Sequence, residues 1–315
     1  MKIVILDAAT LGNDIDLSVF SLLGEVKVYY TTPPDRVRER LADADVAVVN
    51  KIRINAETLG DDPTLCLVCV TATGYDNIDL AYCRAHGIAA CNVVGYSTDS
   101  VAQVTVAMAL SLYTHLPAHA VTVSSGIYTA GNVANCLYPA YRELRGKTWG
   151  IVGFGNIGRR VGAVASAFGC RVLGFSRTAK EGMIAADLDT VCRESDIISV
   201  HLPLSNETRG IIGEREIALM KRDAILINVA RGAVVDEAAL ARAICEKRLG
   251  GIGIDVYSAE PMPEQHPFYA IREYENVLLT PHMAWGAIEA RERCVSEVAE
   301  NIRAYLAGER RNRLD

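Results

Sequence analysis

Short runs of aliphatic and β-branched residues alternate with stretches of helical periodicity along the whole chain, the pattern of a parallel sheet with crossover helices. In the first hundred residues Ile3–Leu6, Val46–Val49, Leu65–Val70 and Ile88–Asn92 predict the strands of one small α/β unit. A second series follows Gly146: Thr148–Gly153, Arg171–Ser176, Ile197–His201, Ala224–Val229, Gly251–Val256 and Val277–Thr280. Each of these is close to continuously apolar, as strands covered on both faces are. The last stretch, Ala287 to Leu306, places Ile288, Val295, Val298, Ile302 and Leu306 near helical spacing and predicts an amphipathic helix.

Between the two series, no Asp, Glu, Lys or Arg occurs from Ser100 to Tyr141. Gln103, Thr105, Ser111, Thr114 and His115 interrupt the apolar residues there, and Pro117 ends the run short of the roughly 20 residues a membrane span needs. The pattern predicts a helix over 100–116, buried in protein and marking the boundary between two α/β units.

The chain has 315 residues, enough for two domains of ordinary size. Thirty-two Lys and Arg against 38 Asp and Glu give a net charge of −6, which disfavours a nucleic-acid partner. Asp7 follows only four apolar residues, so the first residues lack the core of a signal peptide. Nine cysteines, odd in number and scattered, suit reduced thiols and a cytoplasmic location. Cys66 and Cys69 spell C-x-x-C inside an apolar run with no second pair at zinc spacing. They are expected to be buried strand residues, and no metal site is expected. Repeats of 20–50 residues are absent, which excludes a solenoid.

The glycines of Gly153-Phe154-Gly155-Asn156-Ile157-Gly158 follow a predicted strand and open a helix running to about Phe168. That context suits Gly153 to a tight turn, Gly155 to close approach of a pyrophosphate, and Gly158 to helix–strand packing. The helix N-terminus, at Asn156 and Ile157, would offer amides and partial positive charge to the phosphates. The next strand ends in Ser176-Arg177-Thr178, with Lys180 close by, where an NAD-preferring enzyme would carry an acidic residue. A guanidinium there can hold a 2′-phosphate, so the loop leans toward NADP(H), although Ser176 can also bind a ribose and Arg177 can be a solvated turn residue.

Ligands of open α/β sheets sit beyond the carboxyl ends of the strands, and three charged or titratable residues stand there. Arg231 follows the run 225–230, Glu260 follows 255–259, and His282 follows Leu278-Leu279-Thr280-Pro281. A guanidinium can clamp a carboxylate bidentately, and an imidazole paired with a carboxylate is a general acid/base. Asn50-Lys51 ends another predicted strand, where Lys51 is either a cation attracting an anionic substrate or a solvated side chain. Trp285 either walls a pocket or packs a hinge.

The ordered motifs Thr71-Ala72-Thr73-Gly74-Tyr75-Asp76-Asn77, Ser100-Val101-Ala102-Gln103, the glycine loop, Asn228-Val229-Ala230-Arg231-Gly232, Gly253-Ile254-Asp255-Val256 through Glu260-Pro261, and Pro281-His282-Met283-Ala284-Trp285 cover nearly the whole chain. In these the sequence resembles the D-isomer-specific 2-hydroxyacid dehydrogenase family, and most of all its glycerate dehydrogenase (hydroxypyruvate reductase) branch. Ser176-Arg177 and Val104, after Gln103, depart from the pattern.

The resemblance implies two Rossmann-like doubly wound parallel-sheet domains with the active site in the interdomain cleft. Residues 1–99 with 283–315 would form the substrate domain, and 100–282 the dinucleotide-binding domain. It implies Arg231, Glu260 and His282 as catalytic residues, with substrate held by Thr73, Gly74, Arg231 and His282. For the cofactor, NAD(P)H, it implies Gly153, Gly155, Asn156, Ile157 and Gly158 at the loop, and Ser176 and Arg177 at the ribose. Pro203, Val229, Ala230, Arg231, Asp255 and His282 would line the rest, with Asp255 at the nicotinamide carboxamide.

The expected activity is reversible hydride transfer between NAD(P)H and a small 2-keto acid, hydroxypyruvate or glyoxylate, giving the D-2-hydroxy acid. The helix and arm near 100–145 would build a homodimer. An alternative is a dinucleotide-sensing corepressor-like binding protein on the same fold. Formate or phosphite oxidation on the same framework is a third reading.

Overall fold

In a computed structural model, residues 1–61, 63–178 and 181–315 are described. Lys180, expected beside Arg177, lies outside the described residues. The chain divides into two compact units, Met1–Ser97 with Gly286–Asp315, and Thr98–Trp285.

The first unit is a five-stranded parallel sheet of β1 (Lys2–Ile5), β2 (Glu25–Val28), β3 (Val46–Val49), β4 (Leu67–Val70) and β5 (Ala89–Cys91) in the order β2-β1-β3-β4-β5. Val4, Leu6, Ala47, Val49, Val68 and Val70 form the centre of its core. The pattern of apolar runs misses β2, whose Glu-Val-Lys-Val sequence is mostly exposed at the sheet edge. An edge strand needs no continuous apolar run, and charges there discourage pairing with other chains. The last helix, Ile288–Leu306, packs on this unit with Ala290, Cys294, Val295, Val298 and Ile302 buried.

The second unit is a seven-stranded parallel sheet of β6 (Thr148–Val152), β7 (Arg171–Phe175), β8 (Ile184–Ala185), β9 (Ile197–Val200), β10 (Ile225–Asn228), β11 (Gly251–Ile254) and β12 (Val277–Leu279). Their order is β12-β11-β10-β9-β6-β7-β8. The direction of strand order reverses between β6 and β9, so the crevice for a ligand opens at their carboxyl ends. The two-residue β8 is too short to carry a pattern and is also missed.

The uncharged segment is a buried helix, Thr98–Tyr113, which covers β10 and β11 and packs against the helix Asn156–Ala167. No single helix among the described residues is long and apolar enough to cross a membrane.

The division of the chain differs from expectation by a few residues at each crossing. Met283 and Ala284 remain with the second sheet because their amides donate to the buried Asp255 carboxylate, at 2.9 Å each. Ser100 Oγ also donates to the Ala284 carbonyl, at 2.6 Å. Cys69 is buried in β4 as expected, whereas Cys66 precedes the strand and is exposed.

Candidate active site

The glycine loop is shaped by contacts that only glycine permits. Gly153 has φ +99°, and a Cβ there would lie 2.8 Å from the His201 carbonyl carbon, across the β6–β9 crevice. At Gly158 a Cβ would lie 2.3 Å from the Gly153 oxygen, so the helix could not close on the turn. Gly155 is different: it is exposed, and a Cβ there would stand in open space. Its bare backbone precedes a helix of 12 residues with no side-chain cap and no acidic residue in its first turn. By helix geometry the first amides have no intrahelical carbonyl, so they face this opening with the positive end of the dipole. The loop therefore fits a dinucleotide pyrophosphate.

Beyond β7, Ser176 is half-buried and Arg177 is exposed. Glu207, in the loop after β9, has its carboxyl held below the usual range first by the Ser205 hydroxyl and in part by the Arg177 charge. Arg177 is thus near enough to the loop that also carries Pro203 for its charge to act there.

The trio stands on three adjacent strands, with Arg231 after β10, Glu260 after β11 and His282 after β12. Asn228, buried at the end of β10, fastens the Arg231 turn: its Nδ2 donates to the Arg231 carbonyl at 2.9 Å, and its Oδ1 accepts from the Ala230 amide at 3.1 Å. The Arg231 guanidinium also donates to the Ala230 carbonyl through Nη1, at 2.8 Å.

His282 Nδ1 lies 2.7 Å from Glu260 Oε2, and the two side chains retain 21% and 29% exposure, so the pair remains reachable. His282 has φ +54°, a left-handed conformation that costs a residue with a Cβ about 1–2 kcal/mol. Asp255 offsets this strain: its carboxylate accepts from the Thr280 hydroxyl at 2.6 Å and from the Met283 and Ala284 amides, clamping the chain on both sides of the histidine. Burial pushes the Asp255 carboxyl up, against the opposing pull of those same bonds and of the His282 charge. Its carboxylate is directed into the 280–284 turn.

Val229 is buried and Ala230 half-buried on the same turn as Arg231. In the first unit, Thr73 and Gly74 lie in the loop after β4. Thr73 Oγ1 donates to the Val93 carbonyl at 2.7 Å, and Asn92 Nδ2 to the Thr73 carbonyl at 2.8 Å. Asn50 is buried after β3, where Asp7 accepts the Asn50 and Lys51 amides, and the Lys51 side chain is exposed. Trp285 packs against the core beneath the helix Thr98–Tyr113.

Three residues around the trio carry no signal in the sequence: Tyr257, Glu237 and His266 act through contacts between loops. A glutamate in the first turn of a helix reads as a dipole partner until the neighbouring loop is folded onto it.

The sequence matches the family described as D-isomer specific 2-hydroxyacid dehydrogenase, NAD binding domain, over residues 106–284. It is 36% identical over 313 residues to a glycerate dehydrogenase of Methylorubrum extorquens, covering 99% of this chain and 98% of that protein. It is 34% identical over 319 residues to a hydroxypyruvate reductase of Blautia hydrogenotrophica, covering 98% of each. Among solved structures, an acyclic imino acid reductase in complex with NADPH and D-Arg superposes with a TM-score of 0.88 at 31% identity over 100% of both chains. The chain belongs to the D-isomer specific 2-hydroxyacid dehydrogenases, oxidoreductases that act on CH–OH donors with a nicotinamide dinucleotide. These matches lend no support to the corepressor reading.

Proposed function

We propose that this chain reduces a small 2-keto acid of the hydroxypyruvate or glyoxylate type to the D-2-hydroxy acid, reversibly, with Arg231, Glu260 and His282 carrying the chemistry. The observation that carries this reading is the 2.7 Å contact between His282 and Glu260, one strand away from a fastened arginine. A bound nicotinamide dinucleotide supplies the hydride. With Nδ1 engaged by Glu260, His282 exchanges its proton with substrate at Nε2. As the carbonyl oxygen gains negative charge, Nε2 protonates it and the Arg231 guanidinium stabilises it while holding the neighbouring carboxylate. The Glu260 carboxylate fixes the ring's orientation through Nδ1. In the oxidation, the same nitrogen takes the proton back.

Gly153, Gly155, Asn156, Ile157 and Gly158 would hold the pyrophosphate. Pro203, Val229, Ala230 and Asp255 would line the same crevice. Ser176 and Arg177, in place of a carboxylate, support a preference for NADP(H), as does the NADPH bound by the imino acid reductase relative. Exposed Leu116, Val121, Val123, Ile127 and Leu137 in a segment without charged residues support a homodimer built on this arm. Nine unpaired cysteines suit a reducing compartment such as the cytoplasm.

The test is a panel of 2-keto acids run with NADH and with NADPH, comparing kcat/KM, with and without ammonium to admit imine substrates. Hydroxypyruvate or glyoxylate with NADPH is expected to lead. Arg231→Ala is expected to lose most of that activity and His282→Ala to abolish proton transfer. Full turnover by either variant, or no oxidation of either cofactor by any keto acid, overturns the reading.

A further inference from the structure

Tyr257 bonds to Glu260 directly and to the backbone of His282 through the Thr280 carbonyl. Its backbone N–H donates to Glu260 Oε1 at 3.1 Å, the oxygen that His282 does not use. Its hydroxyl donates to the Thr280 carbonyl at 2.9 Å, and that carbonyl also accepts the His282 amide at 3.0 Å. One residue thus holds the carboxylate at one end and the backbone presenting the imidazole at the other.

Tyr257 is itself held from behind. Its ring meets the buried His266 ring edge-on, with centroids 5.8 Å apart and planes at 87°. His266 Nδ1 accepts the Phe268 amide at 3.2 Å, so the neutral ring carries its proton on Nε2 and donates it to Glu237 Oε2 at 3.0 Å. Glu237 in turn accepts the Ser258 amide at 2.9 Å and the Ser258 hydroxyl. The residue that follows Tyr257 is therefore tied to the helix Glu237–Cys245.

We propose that Tyr257 is a positioning residue for the Glu260–His282 pair, with the Glu237–His266 pair fixing the ring that does the positioning. The proposal rests on the reading of His282 as the acid/base.

The charged or titratable groups around the pair are Asp255 at the end of β11, Tyr257 itself, Glu237 and His266 behind it, and Arg231 on the turn that Gly232 seats against Tyr257. Burial pushes the Tyr257 phenol up to about 12, so it stays neutral throughout the working range. Removing its hydroxyl changes no charge, and any shift in pH behaviour reports geometry.

The test is Tyr257→Phe, which keeps the ring against His266 and deletes the bond to Thr280. Loss of one neutral hydrogen bond predicts a fall in kcat of about threefold to tenfold. KM for NAD(P)H and the Tm should change little. The basic limb of the reduction profile should move to lower pH, part of the way to the limb of Glu260→Gln, because an imidazole whose backbone is loosened at Thr280 meets the Glu260 carboxylate less closely.

A second arm needs no turnover: NMR titration of the imidazole signal that disappears in His282→Gln should show its midpoint moving the same way in Tyr257→Phe. An unmoved limb with an unmoved midpoint overturns the proposal, whether or not kcat or Tm falls. If the unaltered protein turns over no keto acid, the functional reading fails, and the NMR arm alone decides the positioning role.

Discussion

A side chain at Gly232 would collide with Tyr257: the ideal Cβ lies 2.1 Å from the Tyr257 carbonyl carbon and 2.2 Å from the Ser258 nitrogen. The turn that carries Arg231 therefore seats directly on the backbone that leads to Glu260, with no atom between them.

Gly232→Ala must push these two loops apart. Displacing Arg231 by an ångström is expected to cost up to about 100-fold in kcat/KM for the keto acid, with a smaller change in the dissociation constant for NADPH. Steady-state kinetics beside fluorescence titration of the cofactor separate the two effects. Equal losses in both would place the damage in the cofactor crevice instead.

His201 gives the fold a pH dependence of its own. Burial pushes its imidazole down to about 3, its Nε2 lies 3.0 Å from Ser199 Oγ, and its Nδ1 is buried without a hydrogen-bond partner among the described residues. A histidine lowered on folding takes up a proton in the unfolded chain between about pH 6.5 and 3 that the folded chain refuses. Stability is then fully present above 6.5 and falls as pH drops, by about 1.4 kcal/mol per unit from this group. Urea melts of His201→Gln between pH 7 and 5 should show a slope flatter by about one proton. An unchanged slope would contradict the assignment.

Arg177→Ala should reduce the ratio of kcat/KM for NADPH to that for NADH by roughly 10- to 100-fold, the loss of a charge-assisted contact to a 2′-phosphate. NADH kinetics should stay close to their original values. A ratio that does not move leaves Arg177 a solvated turn residue.

The exposed Val121, 60% accessible on the helix Leu116–Ser124, is a sensitive probe of the arm. Val121→Asp introduces a charge into a segment that has none and should shift sedimentation of a dimer toward monomer at micromolar concentration. The same mass for both proteins would argue that this surface is not the interface.

Much of this architecture is legible in the sequence because buried parallel strands are near-continuous apolar runs, and polar residues just past them stand at the ligand-binding edge. Arg231, Glu260 and His282 could be found that way. The strands β2 and β8 could not, one being a charged edge and the other two residues long. Tyr257, Glu237 and His266 were hidden for another reason. Their roles depend on which loop lies against which, and a spacing of 21, 23 or 29 residues between bonded partners leaves no periodic trace. The chain crossing just past Trp285 leaves no mark in the strand pattern, which ends at Thr280, while the Asp255 carboxylate holds the next few residues in place.

Carrying the three groups on neighbouring parallel strands makes the sheet itself the gauge. Adjacent strands lie about 4.8 Å apart whatever the length of chain that joins them. The exposed turns 245–248 and 272–275, beyond the Glu237–His266 pair, can therefore gain or lose residues without misaiming the guanidinium, the carboxylate or the imidazole. A change of a single residue between a strand end and its side chain, at 229–231, 255–260 or 280–282, has no such freedom.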